Sequence, residues 1–345
     1  MSEELIELIE RPRAETGALI GHTPARHAIA QAYQTGRIAH AWLISGPTGI
    51  GKATLAWRMV RLILSASEAG LSPNDIETDP GHPDVRKIIA GAHPDCRLVR
   101  RSMTTRSPYR FRTEISVDDI RESTAFLRHT PALSDWRCMI IDAADEMNTN
   151  AQNALLKVLE EPPPRTVILL VAHIPSRLLP TIRSRCRALP LQTLNNEQVT
   201  KVMARSGSDL MPDDMQVVSD ISGGSPGRAI HLAQAGGLEL YQEVAQLFKT
   251  LPGLETEFLH TFSDKFAGAA GEQGYRAFLE ILNWLLLREI RNDATTGRGG
   301  RRLERWLKAW ENISELTTHA DNVNLDRKQV VLNTFFELST AAKSA

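Results

Sequence analysis

The sequence predicts an α/β domain with a parallel sheet and a phosphate loop, followed by a small helical domain and an all-α C-terminal domain. Three observations carry this reading. Short apolar runs alternate with segments of helical spacing over the first half of the chain. One run, Ala41-Trp42-Leu43-Ile44, leads into Gly46-Pro47-Thr48-Gly49-Ile50-Gly51-Lys52, a glycine-rich turn that opens a helix. From about residue 190 the pattern becomes helical, punctuated by Gly207, Gly223-Gly224, Gly227 and Gly236-Gly237. Strands that are apolar throughout are covered on both faces, which is the setting of a parallel sheet between layers of helices.

The elements follow in order. Residues 24–32 have helical spacing and end near Gly36, and 41–44 read as a buried strand. Residues 52–64 are helical again, with Leu55, Met59, Leu62 and Ile63 on one face. Residues 66–116 lose periodicity and collect Pro, Gly, Asp and His, so they read as a loop-rich insertion. A helix follows from 117 to about 128, with Ser116 or Asp118 as its cap. Cys138-Met139-Ile140-Ile141 forms a second strand that stops at Asp142. A helix from about 150 to 160 ends at Pro162-Pro163-Pro164, since proline lacks the N–H and clashes with the preceding turn. Residues 167–171 make a third strand and 177–183 a short helix behind Pro175. A small helical region spans about 193–240, and 275–289, 302–316 and 327–340 read as longer helices.

The chain has 345 residues, with 40 Lys+Arg against 41 Asp+Glu, 42% hydrophobic and 23% charged. That length provides for two or three domains, each with its own core, and the composition excludes wholesale disorder or a fibrous design. A net charge of −1 excludes a surface that is basic overall and grips nucleic acid everywhere. Cys96, Cys138 and Cys186 lie 42 and 48 residues apart, which fits neither a disulfide framework nor a paired-cysteine metal site. Reduced thiols in a cytoplasm are the expectation. The opening MSEELIELIERPR lacks the basic-then-apolar order of a signal peptide, and no run approaches the roughly 18 apolar residues of a membrane span.

The strongest local signal is the GxxxxGK loop at 46–52. Backbone N–H groups in such a turn cradle phosphates, the helix N-terminus favours their charge, and Lys52 can reach the outer phosphates. A glycine-rich turn that binds nothing is the plain alternative. After the lysine the full motif has a hydroxyl that ligates magnesium. Here Ala53 stands there and Thr54 follows, turned about 100° round the helix. Asp142, at the end of the second strand, is placed like the acidic residue near the metal. The position after it, where a hydrolytic enzyme of this class has a glutamate, is Ala143. Both gaps point to a retained fold with lost chemistry, and an autonomous ATPase stays open as the second reading.

Arg183, Arg185 and Arg187 flank Ser184 and Cys186 just beyond the third strand. They read either as a solvated basic edge or as an arginine offered to a neighbouring subunit's nucleotide. Between 97 and 112 there are six arginines and no acidic residue, with Tyr109 and Phe111 interleaved. The choices there are a solvated loop, a subunit contact or a hold on DNA phosphates. Arg298, Arg301, Arg302 and Arg305 read as an exposed basic turn.

Gly36-Arg37-Ile38-Ala39-His40-Ala41-Trp42-Leu43, the phosphate loop, Asn153-Ala154-Leu155-Leu156-Lys157-Val158-Leu159-Glu160-Glu161-Pro162-Pro163 and Ser184-Arg185-Cys186 together resemble the AAA+ subunits of DNA sliding-clamp loaders. The resemblance is specific over roughly residues 17–230. It implies a AAA+ nucleotide-binding-type domain over 1–190, a helical lid over 191–242 and a helical collar for oligomerisation over 243–345. It also implies that Arg185 projects into the ATP site of the adjacent motor subunit. With Ala53 and Ala143, this chain would support a neighbour's hydrolysis and do little or none itself.

The partners so implied are clamp-loader motor subunits and the clamp-opening delta subunit, with the sliding clamp and primed DNA reached through the complex. The setting would be a cytoplasmic, nucleoid-associated replisome, with polymerase activity in another chain of the holoenzyme. ATP would sit weakly, or not at all, on Gly46, Pro47, Thr48, Gly49, Ile50, Gly51, Lys52, Thr54 and Asp142. Motor subunits of the family carry a four-cysteine zinc module where 66–116 offers only Cys96, with His82 and His93 near it, so no zinc is expected. Motor subunits of the family place a polar sensor residue after the third strand, where this chain reads Val171-Ala172-His173, and His173 reads as a surface histidine ahead of a phosphate contact. Arg228 lies one residue past its sensor arginine.

Overall fold

The structure is a computed structural model that describes residues 19–65, 75–103, 111–268, 271–295, 300–323 and 325–343. The chain divides into two compact units, residues 1–202 and 203–345.

The first unit is a five-stranded parallel sheet with helices on both faces. Its elements are α1 (Thr23–Gln34), β1 (Ala41–Ser45), α2 (Lys52–Leu64), α3 (Pro83–Ile89), β2 (Cys96–Val99), α4 (Val117–Leu127), β3 (Arg137–Asp142), α5 (Thr149–Glu160), β4 (Thr166–Ala172), α6 (Pro180–Arg185) and β5 (Arg187–Pro190). The strand order is β2-β3-β4-β1-β5. In the registers at the centre, Leu43 lies opposite Leu170 and Ala188, and Asp142 opposite Val171.

Side chains alternate across the sheet, as the pleat demands. Trp42 and Ile44 pack with Ile29, Leu55 and Met59 on the α1–α2 face. Ala41 and Leu43 pack with Ile120, Leu155 and Leu159 on the α4–α5 face. Every residue of β4 is buried. Each fully buried Leu, Ile or Val contributes about 1.5–3 kcal/mol, so the central strands dominate the stability of this unit.

Local sequence sets the helix ends. Ser116 caps α4, its Oγ accepting from the Asp119 amide while the Asp119 carboxylate accepts from the Ser116 amide. Asn148 caps α5, its Oδ1 2.9 Å from the Ala151 amide. The end of α5 at Glu160 is the one expected from the prolines.

Two expectations for this unit need correcting, and one strand was not expected. The segment read as loop-rich contains α3 and the strand β2. The four-residue edge strand is mostly half-buried and interrupted by Arg97, so it lacks the longer apolar run that marks a central strand. The short helix expected at 177–183 is a single tight turn at Pro175–Arg177 followed by α6, because Pro180 rather than Pro175 starts the α-helix. β5, also an edge strand, went unpredicted for the same reason as β2: only Leu189 is buried in it.

The second unit is all-helical: α7 (Asn196–Arg205) spans the division, and α8 (Pro212–Ser222), α9 (Pro226–Gln234), α10 (Gly237–Thr250), α11 (Thr256–Asp264), α12 (Glu272–Thr295), α13 (Arg301–Val323) and α14 (Arg327–Lys343) follow. Phe262, Phe266, Phe278 and Phe335 form an aromatic cluster at its centre, with ring centroids 5.2 to 6.1 Å apart in mostly tilted or edge-on pairs. The basic group expected in an exposed turn is corrected: Arg301, Arg302 and Arg305 lie on α13, and Arg298 falls outside the described residues.

Candidate functional site

Because the strands run parallel, the segments that follow β1, β3 and β4 all leave one edge of the sheet. In open α/β sheets that carboxyl edge is where ligands bind. It brings together the phosphate loop, Asp142 and His173.

The loop requires its glycines. Gly46 has φ +145°, and a Cβ there would stand 2.5 Å from the Leu191 carbonyl oxygen. Gly51, at φ +105°, turns the chain into α2. Pro47 and Thr48 are exposed, Ile50 is buried, and Lys52 is 3% exposed. The Lys52 ammonium donates to the Gly46 carbonyl at 2.7 Å and to the Pro47 carbonyl at 2.6 Å, so it braces the loop it belongs to. Behind the loop, His22 donates from Nε2 to the Ile50 carbonyl at 2.7 Å. Burial lowers the His22 pKa, and although the Ile50 carbonyl opposes this, Arg26 adds to it, so the neutral ring is favoured.

Ala53 is buried and Thr54 half-buried in the first turn of α2. Asp142 ends β3, and the next residue is the buried Ala143. The positions for a metal hydroxyl and for a water-polarising carboxylate are filled by methyl groups.

Two residues that pattern alone underrated organise this edge. Asp145 is buried, and its two oxygens accept the amides of His173 and Ile174 at 2.9 Å each, tying the exit of β3 to that of β4. The His173 ring lies 3.6 Å from the same carboxylate. Burial would raise the Asp145 pKa, but the His173 ring and the two amides outweigh it and hold the carboxyl well below the usual range. Next to it, burial raises the Glu146 pKa against the pull of Arg101, whose Nε is 2.8 Å away.

Gln152 on α5 is the second. Its Nε2 donates to the Met147 and Arg177 carbonyls at 3.0 and 3.2 Å, and its Oε1 accepts the Leu179 amide at 2.8 Å. This fixes the entry to α6. Arg185 is the last residue of α6, with its side chain 35% exposed. The guanidinium donates to the Thr181 carbonyl at 3.0 Å and pairs with Glu160 at 2.7 Å. Arg187 instead lies over the Trp42 ring, 4.5 Å from its centroid.

The other basic and metal-type groups are placed as follows. Arg97 pairs with Glu122 and Arg101 with Glu146, while Arg106, Tyr109 and Arg110 fall outside the described residues. Arg228 sits at α9 with its Nε 3.5 Å from Glu280 of α12, within the helical unit. His82 caps α3 and His93 accepts the Asp95 amide at 3.1 Å. Among the described residues, no group of three or more His, Cys, Asp or Glu could hold a metal ion, and no helix is long and apolar enough to cross a membrane.

Residues 21–195 match the family model described as DNA polymerase III, delta subunit. The chain is 36% identical over 218 residues to DNA polymerase III subunit delta′ of Pseudomonas aeruginosa, covering 62% of this chain and 61% of that one. It is 30% identical over 224 residues to subunit delta′ of Escherichia coli, covering 65% and 63%. It thus spans about three fifths of the length of these relatives. A solved structure of a gamma subunit-related protein of DNA polymerase III from Thermotoga maritima is similar at a TM-score of 0.47 and 15% identity, covering 91% of this chain and 99% of that one. The family match, the delta′ relatives and the parallel α/β domain with its phosphate loop agree with the clamp-loader resemblance, and the chain belongs to the DNA polymerase III delta-subunit family, beside its delta′ members.

Proposed function

We propose that this chain is a non-motor subunit of the DNA polymerase III clamp loader, a stator that supports ATP-dependent loading of the sliding clamp onto primed DNA. It binds motor subunits and the clamp-opening delta subunit, and it donates Arg185 to the ATP site next door. Relatives named subunit delta′ and the family match support the loader assignment. The division of labour rests on one conjunction: Ala53 and Ala143 leave the chain's own loop without a metal hydroxyl or a catalytic carboxylate, while Arg185 stands partly exposed at the tip of α6. An arginine supplied in trans stabilises charge on a transferring phosphoryl group without needing a complete site of its own.

In this reading the loop at 46–52 with Thr54 and Asp142 binds ATP weakly or is vestigial, since Lys52 is already engaged by the loop's carbonyls. The lid and collar divide at about residue 242, and the collar assembles the ring in the cytoplasm at the replisome.

The test is a loader reconstituted with Arg185→Ala. DNA-stimulated ATP hydrolysis should fall by about 10³-fold or more at the dependent site, the scale of a lost trans arginine, with the ring still assembled. Normal turnover would sink the trans-arginine role. Sustained hydrolysis by the isolated chain would favour the autonomous ATPase instead.

A further inference from the structure

A cleft within the helical unit, between α10, α12 and α13, has a volume of about 920 Å³. Four cations line it: Lys249, Arg288, Arg302 and Arg305, against the single carboxylate of Glu289. Arg302 is neutralised by Asp293, its Nε 2.8 Å from the carboxylate. Among the described residues, no carboxylate pairs with Lys249, Arg288 or Arg305, and the Arg305 Nε is buried without a hydrogen-bond partner. The cleft therefore carries an uncompensated positive charge beside an apolar stretch that includes Leu251 and Pro252.

The aromatic residues at this cleft discriminate between classes of anion. Single-stranded nucleic acid needs open ring faces on which bases stack. Here Phe248 and Trp306 stack on each other, with centroids 5.6 Å apart and planes at 18°. Trp284, which does not line the cleft but contacts two residues that do, is covered by the Arg288 guanidinium at 4.7 Å and met edge-on by Tyr241. Much of the ring surface is thus already used. What remains is a set of point charges and forks that suit carboxylates, set beside aliphatic surface.

We propose that this cleft is a docking site for an acidic peptide segment of a partner protein, one in which carboxylates alternate with leucine-like or aromatic side chains. Lys249, Arg288 and Arg305 hold the carboxylates, and the apolar stretch takes the intervening side chains. Charge complementarity selects the occupant, since the same cleft repels a basic segment. The proposal needs nothing of the trans-arginine reading.

The probe is a fluorescein-labelled heptapeptide that alternates glutamate with leucine and phenylalanine, titrated with the full chain and followed by anisotropy. Expected are saturable binding, weakening as salt rises, at least about tenfold loss in the Lys249→Glu/Arg288→Glu variant, and no binding of the same peptide with glutamine for glutamate. Both substituted side chains are exposed, so the variant should melt like the parent. If it does not, Lys249→Glu alone is used, with a loss of a few-fold expected. Absence of saturable binding, equal binding by the variant or by the glutamine peptide, or tighter binding of an oligothymidylate would overturn the proposal.

Discussion

The Arg185 guanidinium lies 2.7 Å from the Glu160 carboxylate, so the last residue of α6 is paired with the last residue of α5. Glu160 belongs to the Leu-Glu-Glu-Pro-Pro motif and Arg185 to Ser-Arg-Cys, and the fold puts the two motifs in contact. With the side chains 35% and 51% exposed, the pair contributes about 0–1 kcal/mol. It is strong enough to bias the guanidinium and weak enough to be exchanged for a phosphate.

Glu160→Gln separates these functions. If Glu160 competes with the neighbour's phosphates for Arg185, the variant should raise loader ATP hydrolysis by up to about fivefold, the equivalent of about 1 kcal/mol. Melting of the isolated chain should shift by less than about 0.5 kcal/mol. A fall in hydrolysis would mean that Glu160 aims the arginine instead of restraining it.

Lys52→Ala tests whether the lysine serves the loop or a nucleotide. Hydrogen bonds from a charged donor contribute about 1.5–3 kcal/mol, and Lys52 makes two of them to the Gly46 and Pro47 carbonyls. The variant should lose about 1–3 kcal/mol in denaturant unfolding, and any heat of ATP binding seen with the parent should disappear. A gain in stability would show that desolvating the buried ammonium costs more than its two bonds return.

Much of this edge was legible in the sequence. The bounds of α2 and the end of α5 followed from residues whose backbone restrictions are local: Gly51 at one, the Pro162 run at the other. The central strands β1, β3 and β4 announced themselves because both faces are buried. The edge strands β2 and β5 did not, because each is four residues long, buries only one of them and carries an arginine. The pairing of Arg185 with Glu160, and of Asp145 with the His173 and Ile174 amides, joins residues 25 to 29 apart. No local propensity encodes such contacts. They exist only once the parallel sheet aligns the strand ends.

Asp145 should leave a signature in pH. Its folded pKa is depressed, so its contribution to stability is present above the unfolded value of about 3.9 and is lost as pH falls through the folded value. Asp145→Ala, which leaves two amides without their acceptor, should cost about 2–4 kcal/mol at pH 7. Comparison of parent and variant unfolding should show a constant gap above about pH 5 that narrows below about pH 4. A gap independent of pH would mean that packing, not the carboxylate charge, carries the effect.

The three thiols should be silent in the native chain. Burial pushes Cys96 and Cys186 up to about 12, with Asp95 adding to the shift at Cys96, and raises Cys138 as well. The thiolate is the reactive form, so an aromatic disulfide reagent at pH 8 should react with none of the three before unfolding and with all three after it. Rapid reaction of a native thiol would contradict this.

Gln152 offers a way to disturb Arg185 without touching it. Its side-chain amide satisfies Met147, Arg177 and Leu179 at once, and Leu179 is the residue from which α6 starts. Gln152→Leu keeps the volume but leaves those groups unpaired, at a cost of about 1–3 kcal/mol. Loss of these bonds frees the entry of α6, and an arginine displaced by about 1 Å loses much of its effect on a phosphoryl group. Loader hydrolysis should therefore fall by tenfold or more while the isolated chain stays folded. The double variant with Arg185→Ala should be no slower than Arg185→Ala alone, because both act through the same guanidinium. Additive losses would show that Gln152 affects the loader by another route, and unchanged hydrolysis would show that α6 holds its place without it.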